Sequence, residues 1–208
     1  MAKVEAFEKY AAEYDEWFVK NNQIFLSELD AVSTFVPSSR NGLEVGVGSG
    51  RFAFLLDIKT GVEPCRRLAQ LAKKRSITVY ENVAEDLPFD DGSFDYIVMV
   101  TVLCFLDDIG SALKEAYRVL KDKGQIIVAF IDKNSTIGKK YCENKNQSRF
   151  FKEATFYTVS EVTAFLQNAG FGSFEFKQTL FSEDNTAFHP VKEGYGAGSF
   201  IVVNAVRC

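Results

Sequence analysis

Residues 44–51 read EVGVGSGR, with Gly46, Gly48 and Gly50 at alternate positions, Glu44 two places before the first of them and Arg51 after the last. GLEV (42–45) is a short apolar run that predicts a strand entering the turn, and Arg51 to Leu56 predicts a short helix leaving it. Glycine admits positive φ and lets the backbone come close to a ligand. The first turn of the following helix carries free N–H groups and a partly positive end, which suits an anionic ligand group. A strand, a glycine turn and a helix in this order predict a nucleotide site in a doubly wound sheet, beyond the carboxyl ends of its strands.

The spacing narrows the nucleotide. A dinucleotide fingerprint needs GxGxxG, whose third glycine allows helix and strand to pack closely around a pyrophosphate. Here the pattern is GxGxG, and Arg51 stands where that third glycine belongs. A phosphate P-loop needs Gly-Lys followed by Ser or Thr, which this turn lacks. The second apolar run ends in GVEP, so Glu63 stands at a strand's carboxyl end, 17 residues after Gly46. A carboxylate there accepts both hydroxyls of a ribose and repels a phosphate on the 2′ position.

Outward from the turn, apolar runs alternate with helical stretches. Strands are predicted at 42–45, 57–62, 77–81, 94–100, 125–131, 174–180 and 199–206. FDYIVMV (94–100) is apolar almost throughout, as a strand buried on both faces is. Helices are predicted over 51–56, 64–75, 109–120 and 158–169, the last closed by Gly170. Alternation of strand and helix implies a parallel sheet covered on both faces. The last two strands have no helical pattern between them and predict an antiparallel pairing at one edge. Before the turn, Phe7, Tyr10, Tyr14, Trp17 and Phe18 recur at helical spacing, predicting one amphipathic helix over 5–20. A second helix is expected over 23–35, stopped by Pro37-Ser38-Ser39. The chain thus reads as one domain: a helical N-terminal cap (1–38), a nucleotide-binding core (40–131) and a C-terminal substrate-side part (132–208).

Composition sets the outer limits. The 208 residues are 47% hydrophobic and 25% charged, ordinary for a soluble globular protein. A net charge of −4 argues against nucleic acid as an obligatory partner, since phosphate binding needs a basic face. No secretory signal core and no run of about 18 apolar residues is visible, so no membrane span is expected. Cys65, Cys104, Cys142 and Cys208 lie far apart, form no CxxC and make no zinc pattern with the single His189. Reduced thiols in a cytoplasm fit them.

EVGVGSG, then GVEP, then VAEDLPFDDGSFDYIVMV, then LKEAYRVLKDKGQIIVAF resembles the class I S-adenosylmethionine (SAM) dependent methyltransferases, closest to the small ubiquinone-biosynthesis-like type 11 group. The resemblance covers about residues 40–131 and, more loosely, the helix ending in AGF (169–171). It implies a Rossmann-like α/β fold with a seven-stranded, mostly parallel sheet, SAM as cofactor and S-adenosylhomocysteine (SAH) as product. Gly46, Val47 and Gly48, with Gly50 closing the turn, would pass under the methionine part, and Glu44 would orient its ammonium. Glu63 would hold the ribose hydroxyls, with Pro64 and Cys65 near the adenine. The family's aspartate for the adenine amino group is replaced by Val83, leaving Ala84 or Glu85 to serve. Val100 and Thr101 would flank the sulfonium. Cys104-Phe105 stands where the family often carries paired histidines, so no role transfers from those.

The sulfonium already activates the methyl group, so methyl transfer asks for an in-line nucleophile and a dry pocket more than for an acid–base pair. No dyad or triad is evident, and no catalytic residue is assigned. The strand at 94–100 is not followed by the Asn-Pro-Pro-Tyr of adenine methyltransferases, and the acids of a magnesium site are missing, so no metal is expected. The expected reaction is methyl transfer to a small-molecule acceptor; the alternative is a non-catalytic SAM-binding module on the same fold. Arg51 disfavours a nicotinamide dehydrogenase. Tyr14 is either a lid over the cofactor or plain helix packing. His189 is expected on a surface loop, Cys104 in buried packing, and Tyr195 in a turn. GKKYCENKNQSR (138–149) is expected as a solvated loop, with Lys139, Lys140 and Arg149 available to an acidic substrate.

Overall fold

The computed structural model describes residues 3–38 and 40–208. Met1 and Ala2 at the start of the cap, and Ser39 of the expected helix stop, lie outside the described residues. Eight strands form one sheet: β1 (Gly42–Val45), β2 (Thr60–Val62), β3 (Thr78–Tyr80), β4 (Phe94–Val100), β5 (Leu120–Ile131), β6 (Phe171–Thr179), β7 (Lys192–Glu193) and β8 (Phe200–Arg207). Their spatial order is β3-β2-β1-β4-β5-β8-β6-β7. The first five run parallel; β8 is antiparallel to both β5 and β6, and β7 to β6. Seven strands were expected, and the eighth is β7, two exposed residues with no apolar pattern to announce them. The C-terminal strand lies inside the antiparallel end, between β5 and β6, rather than on its rim.

β4 shows why the sheet is buried on both faces. Ile97 and Met99 join Leu113 and Ala116 of helix α6 (Ile109–Val119) and Leu166 of helix α8 (Val159–Asn168) in one core. Val98 and Val100 point the other way, into a core with Ala31 of helix α3 (Asn22–Ser33), Phe52 of helix α4 (Arg51–Leu55) and Ala72 of helix α5 (Arg66–Lys74). Ile97, Val98 and Met99 are wholly inaccessible, and each such side chain contributes about 1.5–3 kcal/mol relative to exposure.

The chain winds outward from β1 through β2 to β3, then crosses back to β4 and β5. β1 and β4 are therefore neighbours whose connections leave in opposite directions, which opens a crevice at their carboxyl ends. Over this crevice lies the N-terminal cap. Its expected single helix is broken into α1 (Glu5–Lys9) and α2 (Ala11–Lys20) at Tyr10, whose φ −125° and ψ 33° are not helical. No glycine or proline marks the break; it follows from tertiary packing, because the Arg149 guanidinium lies 4.3 Å from the Tyr10 ring and Phe150 meets that ring edge-on.

The cap is fastened to the glycine turn by Asp15. Its carboxylate accepts from Arg51 Nε at 2.9 Å and Nη2 at 2.8 Å, and from Arg75 Nη2 at 2.9 Å, while Arg75 Nη1 donates to the Ser49 carbonyl at 2.8 Å. Partial burial pushes the Asp15 pKa up, but the hydrogen bonds from the two arginines outweigh it and hold the group at about 2. A carboxyl depressed from 3.8 to about 2 contributes stability that is present above pH 4 and lost as pH falls through 2. Asp15→Asn should accordingly lower unfolding stability by about 2 kcal/mol at pH 7. Urea titrations should show the gap between variant and wild type closing between pH 4 and pH 2.

Candidate active site

β1 delivers Glu44 and the turn Gly46-Val47-Gly48 to the crevice. The Gly46 and Val47 amides bond the Val62 carbonyl at 2.8 and 3.0 Å, which folds the turn back over the end of β2. Gly46 has φ 71°, and a Cβ there would stand 2.3 Å from Val102 Cγ2; only glycine fits. Just past β2 stands Glu63, whose Oε2 accepts the Gly48 amide at 2.8 Å and whose Oε1 accepts the Cys65 amide at 2.9 Å. One carboxylate thus ties the glycine turn to the start of α5. Each oxygen keeps a lone pair for a further donor.

Glu44 and Glu63 are 2% and 6% exposed, and both face one cavity of about 750 Å3. Burial raises the Glu44 pKa well above the ordinary range, the Ala53 backbone opposing and the Glu63 charge reinforcing the shift. Its Oε2 is buried with no hydrogen-bond partner. Burial likewise raises Glu63 to about 7, against the hydrogen bonds from Cys65 and Gly48. An orphaned carboxylate oxygen on one wall and a carboxylate with free lone pairs on the next are acceptors in want of donors. They fit an ammonium and a sugar diol.

The expected cofactor residues come together around this cavity. Gly46, Val47, Gly48, Pro64, Ala84, Glu85, Val100, Thr101 and Tyr14 all line it with the two acids. Gly50 does not: its φ of 85° starts α4, and a Cβ there would collide with Ile77 and Ala72. Glu85 is committed elsewhere in part, its Oε1 accepting from the Asp107 and Asp108 amides at 3.0 and 3.2 Å. Thr101 sits at the end of β4 with φ 53°, a strained conformation for a threonine, held by its amide bond to the Ala129 carbonyl at 2.8 Å. Tyr14 stands over the turn, its hydroxyl 3.2 Å from where a Gly48 Cβ would be. Burial and then the charges of Glu63, Glu44, Glu28 and Asp15 push its phenol pKa upward, so it stays a neutral donor.

The roof is aromatic. Phe7 of α1 meets Tyr14 and Phe105 edge-on at 5.5 and 5.1 Å and stacks on Phe150 at 5.4 Å. The segment expected as a solvated loop is instead largely helix α7 (Thr136–Asn144), capped by the Ser135 hydroxyl, which accepts from Gly138 N. It turns Ile137 and Tyr141 into the cavity. Lys140 pairs with Glu183 at 2.6 Å and Arg149 lies on Tyr10, so neither is left free for an acidic substrate.

His189 is not on the surface as expected; it is 6% exposed. Its Nδ1 accepts the Phe181 amide at 3.3 Å, which leaves Nε2–H to donate to the Asp184 carbonyl at 2.9 Å, and its own amide donates to Ser27 Oγ of α3 at 2.8 Å. The ring is a strut for the loop after β6. Cys104, expected in buried packing, is half-buried, its thiol donating to the Thr101 carbonyl at 3.3 Å, and desolvation pushes it up to about 12.

A family model described as a methyltransferase domain matches residues 43–128, the stretch that builds β1 through β5. An uncharacterised Methanocaldococcus jannaschii protein is 44% identical over 202 residues, covering 97% of this chain and 98% of that one. A Thermotoga maritima crystal structure, described as a SAM-dependent methyltransferase and "possible histamine N-methyltransferase", is also 44% identical, with TM-score 0.96 over 99% of this chain and 100% of that one. The chain belongs to the SAM-dependent methyltransferases. A malonyl-[acyl-carrier protein] O-methyltransferase of Geobacter sulfurreducens is 28% identical over 89% of this chain and 74% of its own length. The cofactor of this methyltransferase is SAM. Among the described residues no helix is long and apolar enough to cross a membrane.

The raised carboxyl groups fix a pH dependence. Cationic and hydroxyl donors favour ionised carboxylates, whereas below pH 7 the empty site holds a proton on Glu63, and burial pushes Glu44 in the same direction. Binding must then expel protons. Calorimetry should find SAH affinity falling as pH drops from 8 to 6, by up to about tenfold per unit for each group titrated. The measured heat should vary with the ionisation enthalpy of the buffer.

Proposed function

We propose that this methyltransferase transfers the SAM methyl group to a small-molecule acceptor by in-line displacement, with the reaction confined to the cavity under the aromatic roof. SAM supplies a methyl carbon already activated by its sulfonium. In this reading Glu44 pairs with the ammonium of the amino-acid part, and Gly46, Val47 and Gly48 pass beneath it, with Gly50 setting the turn. Glu63 accepts the ribose hydroxyls. Pro64, Ala84 and Glu85 border the adenine, Val100 and Thr101 the sulfonium, and Tyr14 closes the turn from above. The division of the single domain follows: residues 1–38 cover the site, 40–131 hold the cofactor, and 132–208 bound the acceptor. Four free cysteines suit a reducing cytoplasm.

The observation that carries this reading is the pair of buried acceptors, Glu44 and Glu63, in a cavity that continues past them. Beyond the strand ends that carry the cofactor residues lie Ile131, Leu180, Ile137, Tyr141 and Phe18, mostly apolar. Such walls exclude water, which would otherwise compete as nucleophile, and hold an acceptor by shape. Nothing in the lining requires a metal or a covalent intermediate for the transfer.

Removing Glu63 deletes two hydrogen bonds to a charged acceptor. Glu63→Ala should weaken SAH binding by about 1.5–3 kcal/mol, roughly 10- to 150-fold in Kd. Titration calorimetry on the variant, with circular dichroism to show that it remains folded, tests this. A folded variant with wild-type affinity places the ribose elsewhere.

A further inference from the structure

The cofactor roles leave one buried acid of the cavity unexplained. Glu28, on α3, is 8% exposed and lines the cavity. It makes no hydrogen bond or ion pair among the described residues. Burial alone accounts for its pKa, raised to about 8. A packed protein does not leave a carboxyl group in that state without reason, since desolvation is costly and an apolar side chain of equal size would pack without it.

Its position assigns it to the acceptor. α3 packs against β6 and β8, on the far side of β5 from the glycine turn and Glu63. Ile24, one helical turn before Glu28, lines the same wall, and Leu180 at the end of β6 faces it with φ 59°. Ser27, the neighbouring residue, is fixed by the His189 amide, so α3 cannot drift from the loop after β6. The titratable groups nearest in charge are Tyr14 of α2 and Tyr141 of α7, both phenols whose pKa values burial raises and the Glu28 charge raises further. Neither neutralises it.

The cations of the cavity are all engaged. Arg51 is bound to Asp15, Lys140 to Glu183, and Lys3 Nζ reaches the Leu106 carbonyl at 3.5 Å. Three buried carboxyl groups, Glu28, Glu44 and Glu63, thus line the cavity, and no cation forms an ion pair with any of them among the described residues. SAM accounts for Glu44 and Glu63. Rings suited to a cation flank the remaining space: Tyr141 and Phe151 stack at 5.1 Å, and Trp17 and Phe18 line the α2 side.

We propose that Glu28 is the acceptor-binding residue of this methyltransferase and that the acceptor is a basic nitrogen compound, a protonated amine whose cation Glu28 receives and whose proton it takes before transfer. This rests on the methyl-transfer reading above. The ammonium gives one proton to the Glu28 carboxylate and so frees the nitrogen lone pair. That pair forms the N–CH3 bond while the S–CH3 bond breaks, its electrons remaining on sulfur as a neutral thioether. The methylated nitrogen leaves as a cation, and Glu28 returns its proton to water. A group poised near neutrality can both receive and release that proton at physiological pH.

The test uses the full chain loaded with SAH and three matched probes: 2-phenylethylamine, 2-phenylethanol and 3-phenylpropanoate. Calorimetry should find the amine bound at least tenfold tighter than the alcohol or the acid, with affinity rising between pH 6 and pH 8. Glu28→Gln should lose the amine preference, keep SAH affinity within twofold of wild type, and melt at a temperature no lower than wild type. With SAM in place of SAH, wild type should methylate the amine and the variant should not. If wild type fails to bind SAH, the methyl-transfer reading fails first. If SAH binds but no probe is preferred for its amine, or the variant keeps that preference, the role of Glu28 is overturned while the cofactor assignment stands.

Discussion

The Glu63 carboxylate is the joint of the site. It reaches from the end of β2 to the Gly48 amide of the neighbouring turn and to the Cys65 amide that opens α5, at 2.8 and 2.9 Å. Without an acceptor there, two backbone donors at the floor of a buried cavity would be unpaired, a cost of about 1–3 kcal/mol each. With it, the glycine turn, the end of β2 and the start of α5 hold one shape. The same group is raised to about 7 because it is buried. Both oxygens of this joint keep a lone pair after bonding Gly48 and Cys65, so the group can still accept further donors. Structure and binding therefore draw on one residue.

Asp15 does the corresponding work from above. A dinucleotide site would place a small residue at position 51 so that helix and strand could close on a pyrophosphate. Here Arg51 turns outward to Asp15, over the Phe18 ring at 5.7 Å, and converts that position into a strut for the cap. Arg75 closes the same carboxylate onto the Ser49 carbonyl. The cap is thus held to the glycine turn by partly buried, multiply hydrogen-bonded charges rather than by an exposed pair, and pairs of that kind contribute measurable stability. Tyr14, one residue before Asp15, is placed over Gly48 by the same fastening.

How much of this the sequence discloses depends on how local the cause is. The glycine turn, β4, and the helices at 109–119 and 159–168 are written in adjacent residues, through φ requirements and apolar periodicity, and their bounds agree to within a residue or two. The two acids that meet at the cavity, Glu44 and Glu63, stood out for a similar reason: each lies at or just past the carboxyl end of a short strand. What was missed is non-local. The break at Tyr10 needs Arg149 and Phe150; the burial of His189 needs Ser27, 162 residues away. Helix α7 offered fainter signals that could have been used: Ser135 as a cap, and Ile137 and Tyr141 four apart on one face. Its many polar residues masked them. Glu28 was passed over because an acid within an amphipathic helix reads as solvent-facing until the packing of α3 is known.

The electrostatics of the cavity follow from these placements taken together. Three carboxyl groups share one low-dielectric space, and each is pushed toward its protonated form by burial. Before ligands enter, proton uptake is the cheapest way to quiet them, so the resting cavity is close to neutral and its acids act as donors as much as acceptors. A positively charged ligand reverses this, because its attraction for a carboxylate in such surroundings is far stronger than in water. Entry of a cation and departure of a proton then become a single exchange. A cationic ligand placed against Glu44 and Glu63 would spend part of its binding energy on ionising them, an exchange that an anionic or neutral ligand has no means of driving. The lysine and arginine side chains of the lining turn to other partners, Arg51 to Asp15, Lys140 to Glu183 and Lys3 toward the Leu106 carbonyl, and none pairs with the three buried acids. The positions of Asp15 and Glu183, which hold two of those cations away from the interior, are part of the binding site even though neither needs to touch a ligand.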